Sequence, residues 1–151
     1  MKGIPFDLID PKDGSVRNAI VLPSPEGGLT KGLPKKATLP CKVPARAIHL
    51  LVTAGWGYPW SKRGSVSMTV RLRYASGDTE DHELINGVHL ATAHSVEDVP
   101  GSERVFDLRG NQVRYLALKP RQEFVITQIE FVKGPDATAP VVFATTVELP
   151  E

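Results

Sequence analysis

The sequence predicts an all-β protein that folds as one jelly-roll β-sandwich of about eight to nine antiparallel strands. Three observations lead to this prediction. Apolar and polar residues alternate strictly over residues 65–74, which is the pattern of a half-buried strand. Glycine and proline are frequent, with 13 of each in 151 residues, and they fall between short apolar runs. No segment shows the apolar periodicity of an amphipathic helix.

Nine segments of strand length follow one another along the chain. They are residues 18–22, 36–39, 45–53, 65–74, 79–85, 104–108, 112–118, 124–132 and 141–149. Residues 45–53 are apolar almost throughout, as expected where both faces of a strand are covered. Residues 124–132 and 141–149 are rich in β-branched side chains, which favour strands. Turn residues such as Ser76-Gly77-Asp78 and Asn86-Gly87 separate the segments.

Length, charge and cysteine content exclude several classes of protein. A chain of 151 residues with 41% hydrophobic residues can bury a core, so we expect residues 1–151 to form one domain. The net charge of +1 argues against a general nucleic-acid partner. No apolar run is long enough to span a membrane, and the first ten residues lack a signal-peptide core. Cys41 is the only cysteine, so no internal disulfide forms, and we expect it to be a small buried residue.

Charge is segregated along the chain. Nine basic and no acidic residues lie between residues 31 and 75, whereas eight acidic residues accompany one arginine between residues 76 and 107. Cross-strand pairing explains this pattern if Arg71 and Arg73 lie opposite Glu80 and Glu83 in a hairpin. Two other interpretations stay open: a basic surface for an anionic glycan, or an acidic loop cluster that holds Ca²⁺.

The most informative segment is Gly55-Trp56-Gly57-Tyr58-Pro59-Trp60, which is followed by Ser61, Lys62 and Arg63. We call residues 55–63 the aromatic loop. It holds both tryptophans and one of the three tyrosines of the chain, between two predicted strands. Exposed rings at the end of a sandwich can stack on sugar rings, while basic side chains bond the hydroxyl groups. The alternative is that the rings fold inward and cap the core.

Residues suited to catalysis are few. Asp81, His82 and His89 could meet across a hairpin around a metal or as acid and base, but the pattern favours a structural histidine–carboxylate pair. His49 lies within an apolar strand and is expected to be a hydrogen-bonded core or edge histidine. There is no Gly-x-Ser-x-Gly nucleophile motif and no phosphate-binding glycine motif. We therefore predict a protein without catalytic residues and leave any metal ligands unknown.

The order of several segments resembles a known module. The segments are IPF at 4–6, DP at 10–11, NAIVL at 18–22, LPK at 33–35, ARAIHLL at 45–51, YASGD at 74–78, NGVH at 86–89 and GPDATAP at 134–140. They resemble the galactose-binding-domain-like β-sandwiches appended to large secreted or cell-surface bacterial proteins. The resemblance implies a jelly roll that is non-catalytic, often binds carbohydrate through loops at one end, and is often stabilised by Ca²⁺ without requiring a cofactor. It also implies an extracellular or cell-surface location within a longer chain.

Three functional hypotheses follow. The first is a non-catalytic carbohydrate-binding module that takes a polysaccharide or oligosaccharide on Trp56, Tyr58 and Trp60, with Lys62 and Arg63 in support. The second is a structural module that packs against other domains of its parent chain, with the aromatic loop as the contact. The third is a glycan-active enzyme that uses Asp81, His82 and His89.

Overall fold

The structure, a computed structural model, describes residues 3–10, 12–15 and 17–151. These residues form nine strands: β1 (Ile20–Val21), β2 (Lys36–Val43), β3 (Ala47–Gly55), β4 (Val66–Tyr74), β5 (Thr79–Ile85), β6 (Glu103–Leu108), β7 (Asn111–Leu118), β8 (Ile126–Lys133) and β9 (Ala139–Glu148). The described part of the chain contains no helix, and hence none that could cross a membrane.

The strands form two antiparallel sheets. The first has the order β1-β9-β3-β7-β6 and the second the order β2-β8-β4-β5. The chain pairs from its ends inward, since β1 pairs with β9, β2 with β8, β3 with β7 and β4 with β5. This is the pairing of a jelly roll, to which β6 adds one edge strand beside β7. The prediction of an all-β jelly-roll sandwich is confirmed.

The core lies between the two sheets and follows the alternation seen in the sequence. In β4, Met68, Val70, Leu72 and Tyr74 all point into it. β3 is the central strand of the first sheet, and its residues from 48 to 54 are buried on both faces, as its apolar run predicts. Cys41 is only half-buried at the margin of the core, where the prediction had it buried.

All the strands except β5 differ from their predicted bounds at one end or both, and three of these differences have a structural reason. β1 is reduced to two residues because only that part of the segment pairs with β9. β2 continues through Pro40 to Val43 with an irregular register, which an edge strand tolerates because it needs no donor on its open side. β8 begins at Ile126, so that Phe124 and Val125 lie exposed in the connection before it.

Four connections meet at one end of the sandwich, which we call the aromatic end. They are residues 22–35, 56–65, 86–102 and 134–138. The pairing of Gly55 with Ala139 and of Val66 with Ile85 brings three of them together, and the Leu22 amide donates to the Pro140 carbonyl to bring in the fourth. The aromatic loop therefore lies at this end.

Candidate ligand-binding site

The aromatic loop presents its rings to solvent. Trp60 is 73% exposed and Trp56 is 50% exposed, while Tyr58 is half-buried. The alternative that all three rings fold inward to cap the core does not describe this loop. A residue as large as tryptophan is rarely this exposed, and two such residues in one loop make an apolar surface that a ligand can contact.

Asn86 holds the backbone of the aromatic loop. This residue is fully buried in the connection after β5. Its Oδ1 accepts a hydrogen bond from the Tyr58 amide at 2.8 Å, and its Nδ2 donates to Ser61 Oγ and to the Lys62 carbonyl, both at 2.9 Å. Its own carbonyl accepts a hydrogen bond from the Gly64 amide. One buried amide thus fixes the loop at several points, and this limits the freedom of the rings that the loop carries.

Trp56 adopts a backbone conformation that is uncommon for a bulky residue. Its φ is +56°, in the left-handed region, which costs roughly 1–3 kcal/mol when a residue other than glycine occupies it. Its Nε1 lies against Gly27, where a Cβ atom would come within 2.9 Å of it. The indole is therefore seated against the 22–35 connection, with its Nε1 next to Gly27.

Arg63 is held beside Tyr58. Its guanidinium carbon lies 4.6 Å from the centre of the Tyr58 ring, which is the distance of a cation–π contact. Its stem crosses Gly87, where a Cβ atom would lie 2.7 Å from Arg63 Cγ. Gly87 has φ of +76°, so glycine is favoured there both by the backbone conformation and by the close approach of the Arg63 stem. Lys62 is exposed next to it.

Asp136 supports the same end of the sandwich from below. Its carboxylate accepts hydrogen bonds from Ser65, Ser67 and Thr138 and from the Lys133 ammonium group at 3.0 Å. Both members of this ion pair are buried, with side chains 6% and 8% exposed. Burial alone raises the pKa of Asp136, but the four side-chain donors outweigh it and hold the pKa below its usual value.

Arg114 organises the long connection between β5 and β6. It is fully buried, and it donates to Ser102, to the Val99 carbonyl and to Asp98 Oδ1 at 2.6 Å. Its neighbour on the same face, Gln112, donates through Nε2 to three further carbonyls of this connection. Neither residue was predicted from the sequence to have a role. Their positions in the strand indicate a buried location. Side chains alternate between the two faces of a strand, so Gln112 and Arg114 share a face with Leu116 and Leu118, which lie in the core.

The structure does not bring Asp81, His82 and His89 to one site. His82 Nε2 bonds to Glu80, whereas Asp81 points to the other face of β5 and pairs with Arg71. His89 Nδ1 accepts from the Ile85 amide. The expected hairpin after Asn86-Gly87 is absent, because the chain leaves the second sheet there and continues to β6 in the first.

Among the described residues one ion pair, Arg71 with Asp81, joins the basic segment 31–75 to the acidic segment 76–107. Arg71 lies opposite Asp81 and bonds to it at 2.8 Å, while Arg73 bonds to Glu130 on the other neighbouring strand. The predicted partners, Glu80 and Glu83, are wrong because the register of β4 with β5 places other residues opposite Arg71 and Arg73.

The acidic residues between 76 and 107 do not form a cation site. Glu80 is buried with Tyr74, His82 and the Arg121 amide as partners, and Asp107 pairs with Arg104. In residues 3–10, 12–15 and 17–151 no three Asp, Glu, His or Cys side chains lie together as a metal would need. These acidic residues therefore do not supply a set of Ca²⁺ ligands, and the Ca²⁺ that the resemblance implies stays a prediction.

A cleft of about 770 Å³ lies away from the aromatic loop, where β1 and β2 form the outer strands of their sheets. Its lining is mostly apolar and includes Ile20, Leu39 and Phe143. Volume alone would make it the default binding site. The aromatic loop is the stronger candidate for a polar ligand such as a sugar, because it joins exposed rings to unpaired basic groups, whereas the cleft exposes the margin of the core.

No protein-family model matches the chain, and searches of the curated proteins and of the solved structures found no match to it. The galactose-binding-domain-like resemblance therefore stays a prediction, and the function is inferred from the geometry alone.

Proposed function

We propose that this protein is a non-catalytic carbohydrate-binding domain and that the aromatic loop is its binding site. The observation that carries the proposal is the exposure of Trp60 and Trp56 on a backbone that Asn86 holds in place. Under this proposal the protein attaches a larger bacterial chain to an extracellular polysaccharide or oligosaccharide.

The physical argument is one of preorganisation. A sugar ring offers a flat C–H face that packs on an aromatic ring, and it also offers hydroxyl groups that need hydrogen-bond partners. Binding is weakened when the receptor must first order flexible side chains, at a cost of about 0.5–1.5 kcal/mol for each one. Here the contact of Trp56 with Gly27 and that of Arg63 with Tyr58 restrict these side chains before binding, which reduces that cost.

Titration calorimetry with a panel of soluble polysaccharides tests the proposal. Trp60→Ala should weaken binding of the best ligand at least about tenfold, which corresponds to roughly 1.4 kcal/mol. Because Trp60 is 73% exposed, this variant should unfold at the same denaturant concentration as the wild type. Phe124→Ala is the matched control, since Phe124 is an aromatic residue 62% exposed in the connection between β7 and β8, at the other end of the sandwich.

Two results would contradict the proposal. One is the absence of binding across neutral and acidic polysaccharides at millimolar sugar concentration. The other is binding that persists unchanged in the Trp56→Ala/Trp60→Ala double variant.

A second candidate function is an interaction module within a longer chain. The observation that favours it is the apolar cleft at the edge formed by β1 and β2, since exposed apolar surface of this kind often contacts a partner. A structure that includes neighbouring domains would discriminate the two functions. Burial of the cleft or of Trp56 and Trp60 against another domain would favour the interaction module, whereas exposure of both surfaces would favour the carbohydrate-binding domain.

A further inference from the structure

Arg63 has the features of a prepared anion-binding group. Its stem lies against Gly87 and its guanidinium group lies over Tyr58, and these two contacts restrict the conformations of the side chain. Yet it is exposed, and within the described residues it forms neither an ion pair nor a side-chain hydrogen bond. Among the described residues, the buried side chains of Arg114 and Lys133 each pair with a carboxylate. An arginine that is held but unpaired is ready to bind an anion.

Basic side chains outnumber acidic ones in the connections of the aromatic end. Lys62 precedes Arg63 in the aromatic loop, and Lys31 lies in the connection that contacts Trp56, where its amide donates to the Gly27 carbonyl. Two acidic residues of the aromatic end are already neutralised, Asp98 by Arg114 and Asp136 by Lys133. Among described residues of the four connections, the unpaired charged side chains are then Lys31, Lys35, Lys62 and Arg63 against Glu26 and Glu97.

We propose that the aromatic loop selects an acidic glycan, one whose sugar carries a carboxylate or sulfate, and that Arg63 binds this anion while a tryptophan ring packs on the sugar. This inference rests on the proposed function and adds the chemical class of its ligand. The planar guanidinium group donates two parallel hydrogen bonds to a carboxylate or sulfate, which a lysine ammonium group cannot reproduce. Desolvating an unpaired charge is costly, so a neutral sugar over Arg63 would gain less.

The test compares ligands that differ only in charge. Polygalacturonate and its methyl ester share one backbone, and dextran sulfate and dextran share another. Calorimetry at low salt should show the acidic member of at least one pair binding at least about tenfold tighter than its neutral partner, and the preference should shrink as salt is added. The pair that shows the preference identifies carboxylate or sulfate as the anion.

Variants of Arg63 then assign the preference to this residue. Arg63→Ala should weaken acidic binding more than neutral binding, so that the ratio of the two affinities falls to about one. Arg63→Lys, which keeps the charge but loses the planar fork, should give an intermediate affinity. Arg121→Ala is the matched control, because Arg121 is an exposed arginine in the connection between β7 and β8 at the opposite end. Far-UV circular dichroism and the unfolding midpoint verify that each variant is folded.

The outcomes separate this inference from the proposed function. Equal affinity for acidic and neutral partners, or an Arg63→Ala variant that keeps the acidic preference, overturns the acidic selectivity and leaves carbohydrate binding in place. Absence of binding to all four polysaccharides and to the wider panel overturns both.

Discussion

Asn86→Ala tests whether one buried amide holds the aromatic loop. The substitution removes the acceptor of the Tyr58 amide and the donor of the Lys62 carbonyl, in a position that is fully buried. Each buried polar group left without a partner costs about 1–3 kcal/mol. We therefore expect the free energy of unfolding to fall by about 2–4 kcal/mol, which for a chain of this size lowers the melting temperature by roughly 5–15 °C.

The two tryptophans make the assay specific for this loop. Both lie in the aromatic loop and the chain has no others, so intrinsic fluorescence reports the loop while far-UV circular dichroism reports the sheets. In Asn86→Ala we expect lower fluorescence anisotropy and easier quenching by acrylamide under native conditions, with an unchanged far-UV spectrum. Guanidinium unfolding followed by both probes measures the loss of stability.

Asn86→Asp gives a second test of the hydrogen bonds that the Asn86 side chain makes. The aspartate keeps an acceptor for the Tyr58 amide and can accept from Ser61, but at neutral pH it places a carboxylate oxygen against the Lys62 carbonyl. Its deficit in stability should therefore decrease at acidic pH, where a protonated carboxyl group can donate to that carbonyl. Gln128→Ala, at an exposed amide on β8, serves as the control and should stay within about 0.5 kcal/mol of the wild type. An Asn86→Ala variant as stable and as rigid as this control would refute the assigned role.

Three further predictions concern the supports of the aromatic end. Arg114→Met should cost about 3 kcal/mol and accelerate amide hydrogen exchange over residues 94–102, since several acceptors of that connection lose their donor. Asp136→Asn should cost about 3–5 kcal/mol at pH 7 by leaving a buried lysine unpaired. Folding lowers the pKa of Asp136 below its ordinary 3.8, so the stability contributed by the carboxylate is complete above that value and is lost as pH falls through the folded pKa. The difference in the free energy of unfolding between wild type and Asp136→Asn, measured by urea unfolding, should therefore narrow below about pH 4. Gly134→Ala places a Cβ atom 2.0 Å from the Val66 carbonyl oxygen and should lower the free energy of unfolding by at least about 2 kcal/mol, whereas Gly28→Ala, with nothing within 4 Å, should be nearly neutral.

The strands could be predicted from the sequence because each is encoded locally. β5 matches its predicted bounds, and the alternation over 65–74 assigns the buried face of β4 correctly. The partners of the strands could not be predicted in the same way, since the pairing of β1 with β9 joins distant parts of the chain. The ion pair of Arg73 with Glu130 illustrates the limit: the hairpin was correct, but the second neighbour of β4 was not visible in the local sequence.

The candidate site, like the fold, could be predicted from the sequence only in part. Its aromatic residues were identified because they are adjacent in a loop of a chain with few aromatic residues. Asn86 was interpreted as an ordinary turn residue, since nothing in its neighbourhood indicates that its side chain binds Tyr58, 28 residues earlier. The rings could therefore be located from sequence, whereas the group that fixes them required the fold.

Asn86 and Gly87 are neighbours in the connection between β5 and β6, and each supports a different part of the proposed site. Asn86 fixes the backbone that carries the rings, and Gly87 leaves room for the stem of Arg63. Gly87→Ala should therefore separate the two components. Its Cβ atom would lie 2.7 Å from Arg63 Cγ and 3.0 Å from Arg63 Cβ, so the stem of Arg63 must shift, and alanine in a left-handed conformation costs roughly 1–2 kcal/mol in addition. We expect this variant to keep its tryptophan anisotropy and its binding of neutral sugar, but to lose most of the preference for the acidic partner although Arg63 is still present. Retention of the full preference would show that the charge alone suffices and that the confinement of Arg63 contributes nothing.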